Sequence, residues 1–270
     1  MDRRGNIYGS TVDGGTTGED GGTVFKLTSG GKEKVLYSFC SQPGCTDGDA
    51  PFADVVRDSD GNIYGTTLYG GANNAGYCYA VFDGFCGTVF KIGPTGKETV
   101  LYSFCAKAYC ADGAGPEAGV VLDKDGNLYG TTAAGGNHSG NCPNSMDNGP
   151  GWCGVAFELQ PDLTETVLQA FCSQANCTDG ALPFASVTLK YNKSGITLYG
   201  TAEAGGAKND GVVYSLSGRT EKVLHSFCNR ANCTDGAVPQ SGVISVGGYL
   251  FGTTLVGGKG GAGTIYKLAR

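Results

Sequence analysis

One sequence unit occurs five times along this chain, and it limits the possible folds more than any other feature. Each unit begins with an aromatic residue followed by Gly, continues to a Gly-Gly pair, and ends in a short apolar segment that also starts with Gly. The aromatic residues lie 52 to 70 positions apart, at Tyr8, Tyr64, Tyr129, Tyr199 and Phe251. A repeat of this length is typical of an array of one supersecondary unit.

The second unit shows how one repeat is built from strands. Four apolar segments alternate with turns, and the turn around Asp60-Gly61-Asn62 contains residues that favour tight hairpins. The predicted strands, named A to D in chain order, are Phe52–Arg57, Ile63–Thr67, Thr88–Ile92 and Glu98–Phe104. Four antiparallel strands per repeat predict an all-β protein, a β-propeller in which each repeat forms one blade.

The order of strands predicts five blades with incomplete ends. The chain reads BCD, three times ABCD, and ABC, so the first blade lacks strand A and the last lacks strand D. The repeats adjoin without linkers, which favours a single domain over residues 1–270. A four-bladed ring with spare strands is the alternative. Because Met1 runs directly into the middle of a repeat, we expect the chain to belong to a larger gene product. Because the terminal blades are incomplete, we expect their free edges to pair with each other, with an upstream segment or with another molecule.

The twelve cysteines form six close pairs, four of them with identical spacing. The number of cysteines is even, the pairs recur at fixed places in the repeats, and the chain has only two His. These three features favour local disulfides over zinc binding. We therefore predict an oxidising compartment, meaning a secreted or cell-surface protein. The predicted pairs are Cys40–Cys45, Cys78–Cys86, Cys105–Cys110, Cys142–Cys153, Cys172–Cys177 and Cys228–Cys233.

An Asp-Gly step follows each of the four evenly spaced pairs, at Asp47, Asp112, Asp179 and Asp235. Our main interpretation is an Asx turn that closes the cysteine loop, and calcium binding is the alternative. We predict no metal and no other cofactor. The net charge of −6 without a basic stripe argues against nucleic acid, and no apolar run reaches the length of a membrane span.

The repeat resembles the GloVer tandem repeat of bacterial secreted or surface-anchored proteins, often called choice-of-anchor proteins. Its most recognisable positions are Gly130-Thr131-Thr132, Gly135-Gly136, Asp112-Gly113 and Pro116, and the similarity covers essentially the whole chain. The cysteines after the Tyr-Ser-Phe strand depart from the pattern. The resemblance implies a secreted, propeller-like array and no established activity.

Long loops lie on one side of the predicted blades, because the B–C and D–A connections are long and emerge on the same face. The two longest B–C loops carry aromatic and acidic residues, which suit sugar rings and hydroxyls. We predict that this face binds a glycan or another extracellular ligand, and the alternative is a small core around the loop disulfides. The predicted ligand-binding residues are Tyr69, Tyr77, Tyr79, Asp83, Asp147 and Trp152.

Acidic residues that break the repeat are the candidates for catalysis. Glu117 stands at the start of the predicted strand A, where other repeats have Phe or Gln. Glu203 follows strand B, where the second, third and fifth repeats have apolar residues and the first repeat has Val12 followed by Asp13. If the protein is an enzyme, these three acids at a central funnel predict a glycoside hydrolase. Solvated loop acids are the simpler interpretation. A structural or adhesive surface protein is the third functional class.

Overall fold

The computed structural model describes residues 1–16, 21–73, 84, 86–136, 153–193 and 195–270, and within them the chain is a five-bladed β-propeller. Its 18 strands form five antiparallel sheets of three, four, four, four and three strands. The strands are β1 (Ile7–Thr11), β2 (Thr23–Leu27), β3 (Glu33–Ser38), β4 (Val56–Arg57), β5 (Ile63–Thr67), β6 (Thr88–Ile92), β7 (Glu98–Ser103), β8 (Val121–Leu122), β9 (Leu128–Thr132), β10 (Val155–Leu159), β11 (Glu165–Ala170), β12 (Thr188–Asn192), β13 (Gly195–Ala202), β14 (Val212–Ser217), β15 (Thr220–Ser226), β16 (Ile244–Val246), β17 (Tyr249–Thr254) and β18 (Thr264–Ala269).

The blades follow chain order. Blade 1 is β1–β3, blade 2 is β4–β7, blade 3 is β8–β11, blade 4 is β12–β15 and blade 5 is β16–β18. Blade 1 therefore begins at strand B and blade 5 ends at strand C, as predicted. Within the described ranges, no strand of blade 5 is hydrogen-bonded to a strand of blade 1.

The A strands are shorter than predicted. In blade 2 only Val56 and Arg57 pair with β5, whereas the sequence predicted a strand from Phe52. Pro51 has no N–H to donate, and Ala50 before it has a left-handed φ of 53°, so the chain turns sharply as it enters the blade. The A strand of blade 4 is the exception, because β12 pairs with β13 over five residues.

Neighbouring blades are held together by aromatic residues. Phe104, after strand D of blade 2, contacts Phe157 of strand C in blade 3 with ring centroids 5.1 Å apart, and both are fully buried. Phe157 lies over Gly130, where a Cβ atom would stand 2.6 Å from the ring, so only Gly fits there. The equivalent pairs at the other junctions are Phe39–Phe90, Phe171–Tyr214 and Phe227–Tyr266, at 4.8, 5.0 and 5.0 Å.

The four evenly spaced cysteine pairs are disulfides in the structure: Cys40–Cys45, Cys105–Cys110, Cys172–Cys177 and Cys228–Cys233. Cys86 and Cys153 are also disulfide-bonded, and their predicted partners, Cys78 and Cys142, lie outside the described residues. Each of the four loops contains a short 3-10 turn, at Pro43–Cys45, Ala108–Cys110, Ala175–Cys177 and Ala231–Cys233. The described part of the chain has no helix long and apolar enough to cross a bilayer.

The Asp after each of these loops closes it, as the Asx-turn interpretation predicted. The carboxylate of Asp112 is fully buried and accepts hydrogen bonds from the Tyr102 hydroxyl (2.8 Å) and from the backbone N–H groups of Ala106 (2.9 Å) and Lys107 (3.0 Å). Asp47, Asp179 and Asp235 accept backbone N–H groups in the same way. These carboxylates therefore satisfy donors that the tight loop leaves without backbone partners.

We expect Asp112→Ala to lower the free energy of unfolding by about 2–4 kcal/mol, because three donors lose a charged acceptor that is itself fully buried. Urea unfolding followed by fluorescence measures the change. Asp235→Ala is the matched control. Its two backbone hydrogen bonds are longer, at 3.1 and 3.2 Å, and more exposed than those of Asp112, and its side-chain partner is His225 at 3.3 Å, so its loss should cost less. Equal costs at the two positions would contradict the burial argument.

A second carboxyl lies against the Asp at three junctions. Glu98, Glu165 and Glu221 lie in the first two positions of the D strands of blades 2, 3 and 4, and each has one oxygen that is buried without a hydrogen bond. Burial, followed by the charge of Asp47, raises the pKa of Glu98 to about 7. Burial and the charge of Asp179 likewise raise the pKa of Glu221 to about 7. At the remaining junction Lys107 lies 2.6 Å from Glu165 and offsets the buried charge.

This arrangement predicts a stability that falls as pH rises. Folded Glu98 keeps its proton to about pH 7, whereas an unfolded Glu loses it near pH 4.5, so the folded state is penalised increasingly between these values and fully above them. We expect Glu98→Gln to stabilise the protein at pH 8 by about 1 kcal/mol after allowing for solvent screening, or about 2–4 °C in Tm, and to change little at pH 4.5. Glu33→Gln, at the exposed equivalent in blade 1, should have no effect at either pH.

Candidate functional site

Four residues occupy equivalent places in the segments that lead into the A strands, each four positions before its strand. Each follows a proline that ends a D–A connection, so the four succeed one another around the ring from blade 2 to blade 5. We call them the rim positions: Phe52, Glu117, Phe184 and Gln240. Repeated structure places them, but their side chains differ, which is the combination expected of a site built on a repetitive scaffold.

Glu117 and Glu203 come together at this rim. Glu117 is partly buried, and burial, followed by the negative charge of Glu203, raises its pKa to about 7. The two acids belong to blades 3 and 4, so a residue from each side of one blade junction contributes to the site. These are two of the three acids for which the sequence predicted a catalytic role, and that role stays a prediction.

Glu203 is held in place from two directions. Its backbone N–H donates to the carbonyl of Leu182 in the connection that leads into blade 4, at 3.0 Å. The side-chain amide of Gln240, the next rim position, donates to Oε2 of Glu203 at 2.9 Å. The carboxylate is therefore oriented by a neighbouring blade and remains partly exposed at the rim.

The rim carries aromatic rings that the sequence analysis did not assign to ligand binding. Phe52 is 55% exposed, although its side chain is large and apolar. Phe184 is partly buried and packs against the Ala and Cys residues beneath the loops. Both Phe residues share the position of Glu117 in the repeat, so the sequence alone could have marked them as site candidates. Their exposure, however, depends on how neighbouring blades pack.

The structure does not bring the third candidate acid into this pair. Asp13 is exposed in blade 1, with blade 2 between it and the blade of Glu117, and its backbone carbonyl accepts the Thr11 hydroxyl at 2.9 Å. Tyr69 is partly buried against the cluster around Ala50 and Leu68, and its backbone pairs with Asp49. The remaining predicted ligand-binding residues lie outside the described residues: Tyr77, Tyr79, Asp83, Asp147 and Trp152.

A groove of about 640 Å³ lies on the opposite face, between blades 3 and 4. It exists because the A–B hairpin of blade 4 is longer than the Asp-Gly-Asn turns of blades 2 and 3. Tyr191 on this hairpin accepts a hydrogen bond from the backbone N–H of Lys124 at 2.8 Å. The sequence predicts tight A–B connections in every blade, and the longer hairpin of blade 4 differs from that prediction.

Two groups of potential metal-ligand atoms occur in the described ranges. One contains Asp49 beside Cys40 and Cys45, and the other contains Asp210 beside Cys228 and Cys233. In both groups the sulfur atoms are joined in a disulfide, so they are not the thiolates that bind metal ions. These groups therefore do not support a metal centre.

The sequence matches the family described as the Gloeobacter/Verrucomicrobia repeat over residues 1–142 and again over residues 143–270. The curated proteins contain no match to this chain. The match runs from the first residue to the last and includes both acids of the rim.

Solved structures with a similar chain path have low identity. A luciferin-regenerating enzyme has 14% identity and a TM-score of 0.48, with 98% of this chain and 78% of that chain covered. The tricorn protease has 12% identity and a TM-score of 0.47, covering 92% of this chain and 20% of that one. An α-L-arabinanase mutant of Cellvibrio cellulosa has 11% identity and a TM-score of 0.40, covering 100% and 89%.

Proposed function

The chain belongs to the Gloeobacter/Verrucomicrobia repeat family, and we propose that this member is an extracellular propeller that binds a glycan at the rim and hydrolyses it. The observation that carries the proposal is the pair Glu117 and Glu203, in which burial and a neighbouring carboxylate raise the pKa of Glu117 to about 7. Glycoside hydrolysis uses two carboxyl groups with different roles, and a raised pKa is typical of the acid.

The roles follow from the surroundings of each group. Glu117 keeps its proton near neutral pH and is suited to protonate the glycosidic oxygen as the bond from that oxygen to the anomeric carbon breaks. Glu203, held by Gln240, is suited to take the other role. It either removes a proton from the attacking water or bonds to the anomeric carbon, and the distance between the two carboxyl groups decides which.

Phe52 and Phe184 supply the binding surface in this proposal. Aromatic rings stack on the apolar faces of sugars, and Phe52 is exposed at the rim position that precedes Glu117 around the ring. The disulfides support an oxidising location, where extracellular glycans are found.

Glycan binding without turnover is the second candidate, and the exposure of Phe52 favours it independently of the acids. In that case the rim and the long-loop face would hold a sugar, and Glu203 would accept hydrogen bonds from its hydroxyl groups. The loop residues Tyr77, Tyr79 and Trp152 stay a prediction for this function. A structural or adhesive role needs neither the acid pair nor the exposed ring.

A panel of neutral and acidic oligosaccharides tests the proposal. Each is incubated with the wild-type protein, with Asp60→Asn, which removes an exposed acid far from the rim, and with the double variant Glu117→Gln and Glu203→Gln. We expect shorter products by mass spectrometry from the first two proteins and none from the third. Binding by all three without products would instead establish the second candidate, and neither binding nor products would reject both.

A further inference from the structure

The two ends of the blade array expose apolar faces that are buried at every internal junction. Ile265 of blade 5 is 85% exposed, whereas its equivalents Val24, Val89, Ala156 and Val213 are each 0% exposed. Ile7 of blade 1 is 50% exposed, whereas Ile63, Leu128, Leu198 and Leu250 are 0–2% exposed. The sequence keeps apolar residues at both ends, although nothing among the described residues covers them.

The internal junctions show what covers each of these faces. At all four, a Phe that follows strand D of one blade packs on the strand-C aromatic ring of the next blade, at 4.8–5.1 Å. Phe25 is the strand-C aromatic residue of blade 1, and no blade among the described residues precedes it. Phe25 is only partly buried, whereas Phe90 and Phe157 are fully buried. Its missing neighbour is therefore the Phe of a D strand.

A hydrogen bond at each junction identifies the second missing part. A strand-B hydroxyl donates to a carbonyl in the segment that leads into strand A of the next blade. The pairs are Ser10 to Ala53, Thr66 to Ala118, Thr131 to Ala185 and Thr201 to Ser241, at 2.6, 2.9, 3.1 and 2.9 Å. In blade 5 the equivalent residue is Thr253, which is exposed and shares a hydrogen bond with Ser241 of its own blade instead, at 2.7 Å. The next A strand is the one that blade 1 lacks.

The two open sheet edges are the edges at which a D strand and an A strand pair in the complete blades. Strand β18 is the last strand of blade 5 and has an open edge where a D strand pairs in blades 2, 3 and 4. Strand β1 has an open edge where an A strand pairs in those blades. In the chain, a D strand and the following A strand are always joined by one cysteine loop, so a single segment would fill both edges.

We propose that the open edges of β18 and β1 together bind one further D–A segment of this same repeat, supplied from outside residues 1–270. Its D strand pairs with β18, and its A strand pairs with β1. The Phe that directly follows its D strand packs on Phe25. A backbone carbonyl just before this A strand accepts a hydrogen bond from the hydroxyl of Thr253. The segment closes the ring, and recognition rests on strand addition and one aromatic contact.

A copy of residues 98–122 tests this, because it contains strand D, Phe104, the Cys105–Cys110 loop and strand A. The oxidised peptide is added to the whole chain, and hydrogen exchange of the β18 and β1 amides is followed by mass spectrometry. We expect about tenfold or greater protection of both strands at saturation, a higher Tm and a monomeric mass in solution. The same peptide with Phe104→Ala should bind more weakly, and a scrambled peptide should not bind.

A fused version separates weak binding from no binding. In the chain, Leu122 is followed by Asp123, whose carboxylate accepts the N–H of Asn127 at 2.9 Å, just as Asp2 accepts the N–H of Asn6 at 3.0 Å. The copy is therefore placed directly before Asp2, so that the A–B turn is preserved. Unchanged exchange of β18 in the fused protein would overturn the proposal. So would protection of β18 in the original chain together with a dimeric mass, because a second copy would then cover the face.

Discussion

Phe157→Ala should be among the most damaging single substitutions in this protein, costing about 3–5 kcal/mol of the free energy of unfolding. The ring is fully buried between blades 2 and 3, contacts Phe104 at 5.1 Å, and fills the space over Gly130. Its removal leaves a cavity that the rigid β-strands on both sides fill poorly. Because the total stability of a domain is about 5–15 kcal/mol, urea unfolding should show a large fall in the midpoint.

Phe25→Ala is the matched control, because Phe25 holds the same position in blade 1 and lies over Gly9. Within the part of the chain that the structure describes, no preceding blade packs on it, and the ring is only partly buried. We expect a cost well below that at Phe157, since a partly solvated ring leaves no closed cavity. If the two substitutions cost the same, the face of blade 1 is covered in solution, and the open junction described above is not open.

Glu117→Gln should remove about 10²–10⁴-fold of any hydrolytic rate, because the amide has no proton to give to the leaving oxygen. The wild-type rate should fall as pH rises above about 7, where Glu117 loses its proton. Sugar binding should remain nearly unchanged, since Gln has the same shape as the protonated acid. Initial rates from pH 5 to 9 on the substrate found in the oligosaccharide panel measure both effects.

Gln240→Ala distinguishes an acid pair from two unrelated acids. The substitution removes the hydrogen bond to Glu203 at 2.9 Å but leaves Glu117 in place. We expect a lower kcat with an alkaline limb that still lies near pH 7, because Glu117 remains buried. A Glu117→Gln variant that keeps the wild-type rate would exclude Glu117 as the acid. The protein would then be a sugar-binding propeller or would use other residues.

Much of the fold followed from local sequence. Strands B and C of blade 2 have the predicted bounds, Ile63–Thr67 and Thr88–Ile92, because alternating apolar residues and Asp-Gly turns act over short distances. The absence of strand A from blade 1 and of strand D from blade 5 was also countable, since each strand has its own sequence pattern. Strand A was overestimated, because whether a residue after Pro51 pairs depends on the path of the chain into the blade.

For the site, the sequence by itself determined that Glu117 and Glu203 break the repeat, because a deviation from a repeat is visible without coordinates. It also determined that cysteines five positions apart close local loops, because their spacing in the chain is short. Only the tertiary structure decided that these two acids interact, that Gln240 holds one of them, and that Asp13 stands apart. It also decided that Phe52 is exposed while Phe90 is buried. The physical reason is that the interaction between charges and the burial of side chains depend on which blades are neighbours. Glu117 and Glu203 are 86 positions apart in the chain, and they become neighbours only when blades 3 and 4 pack together.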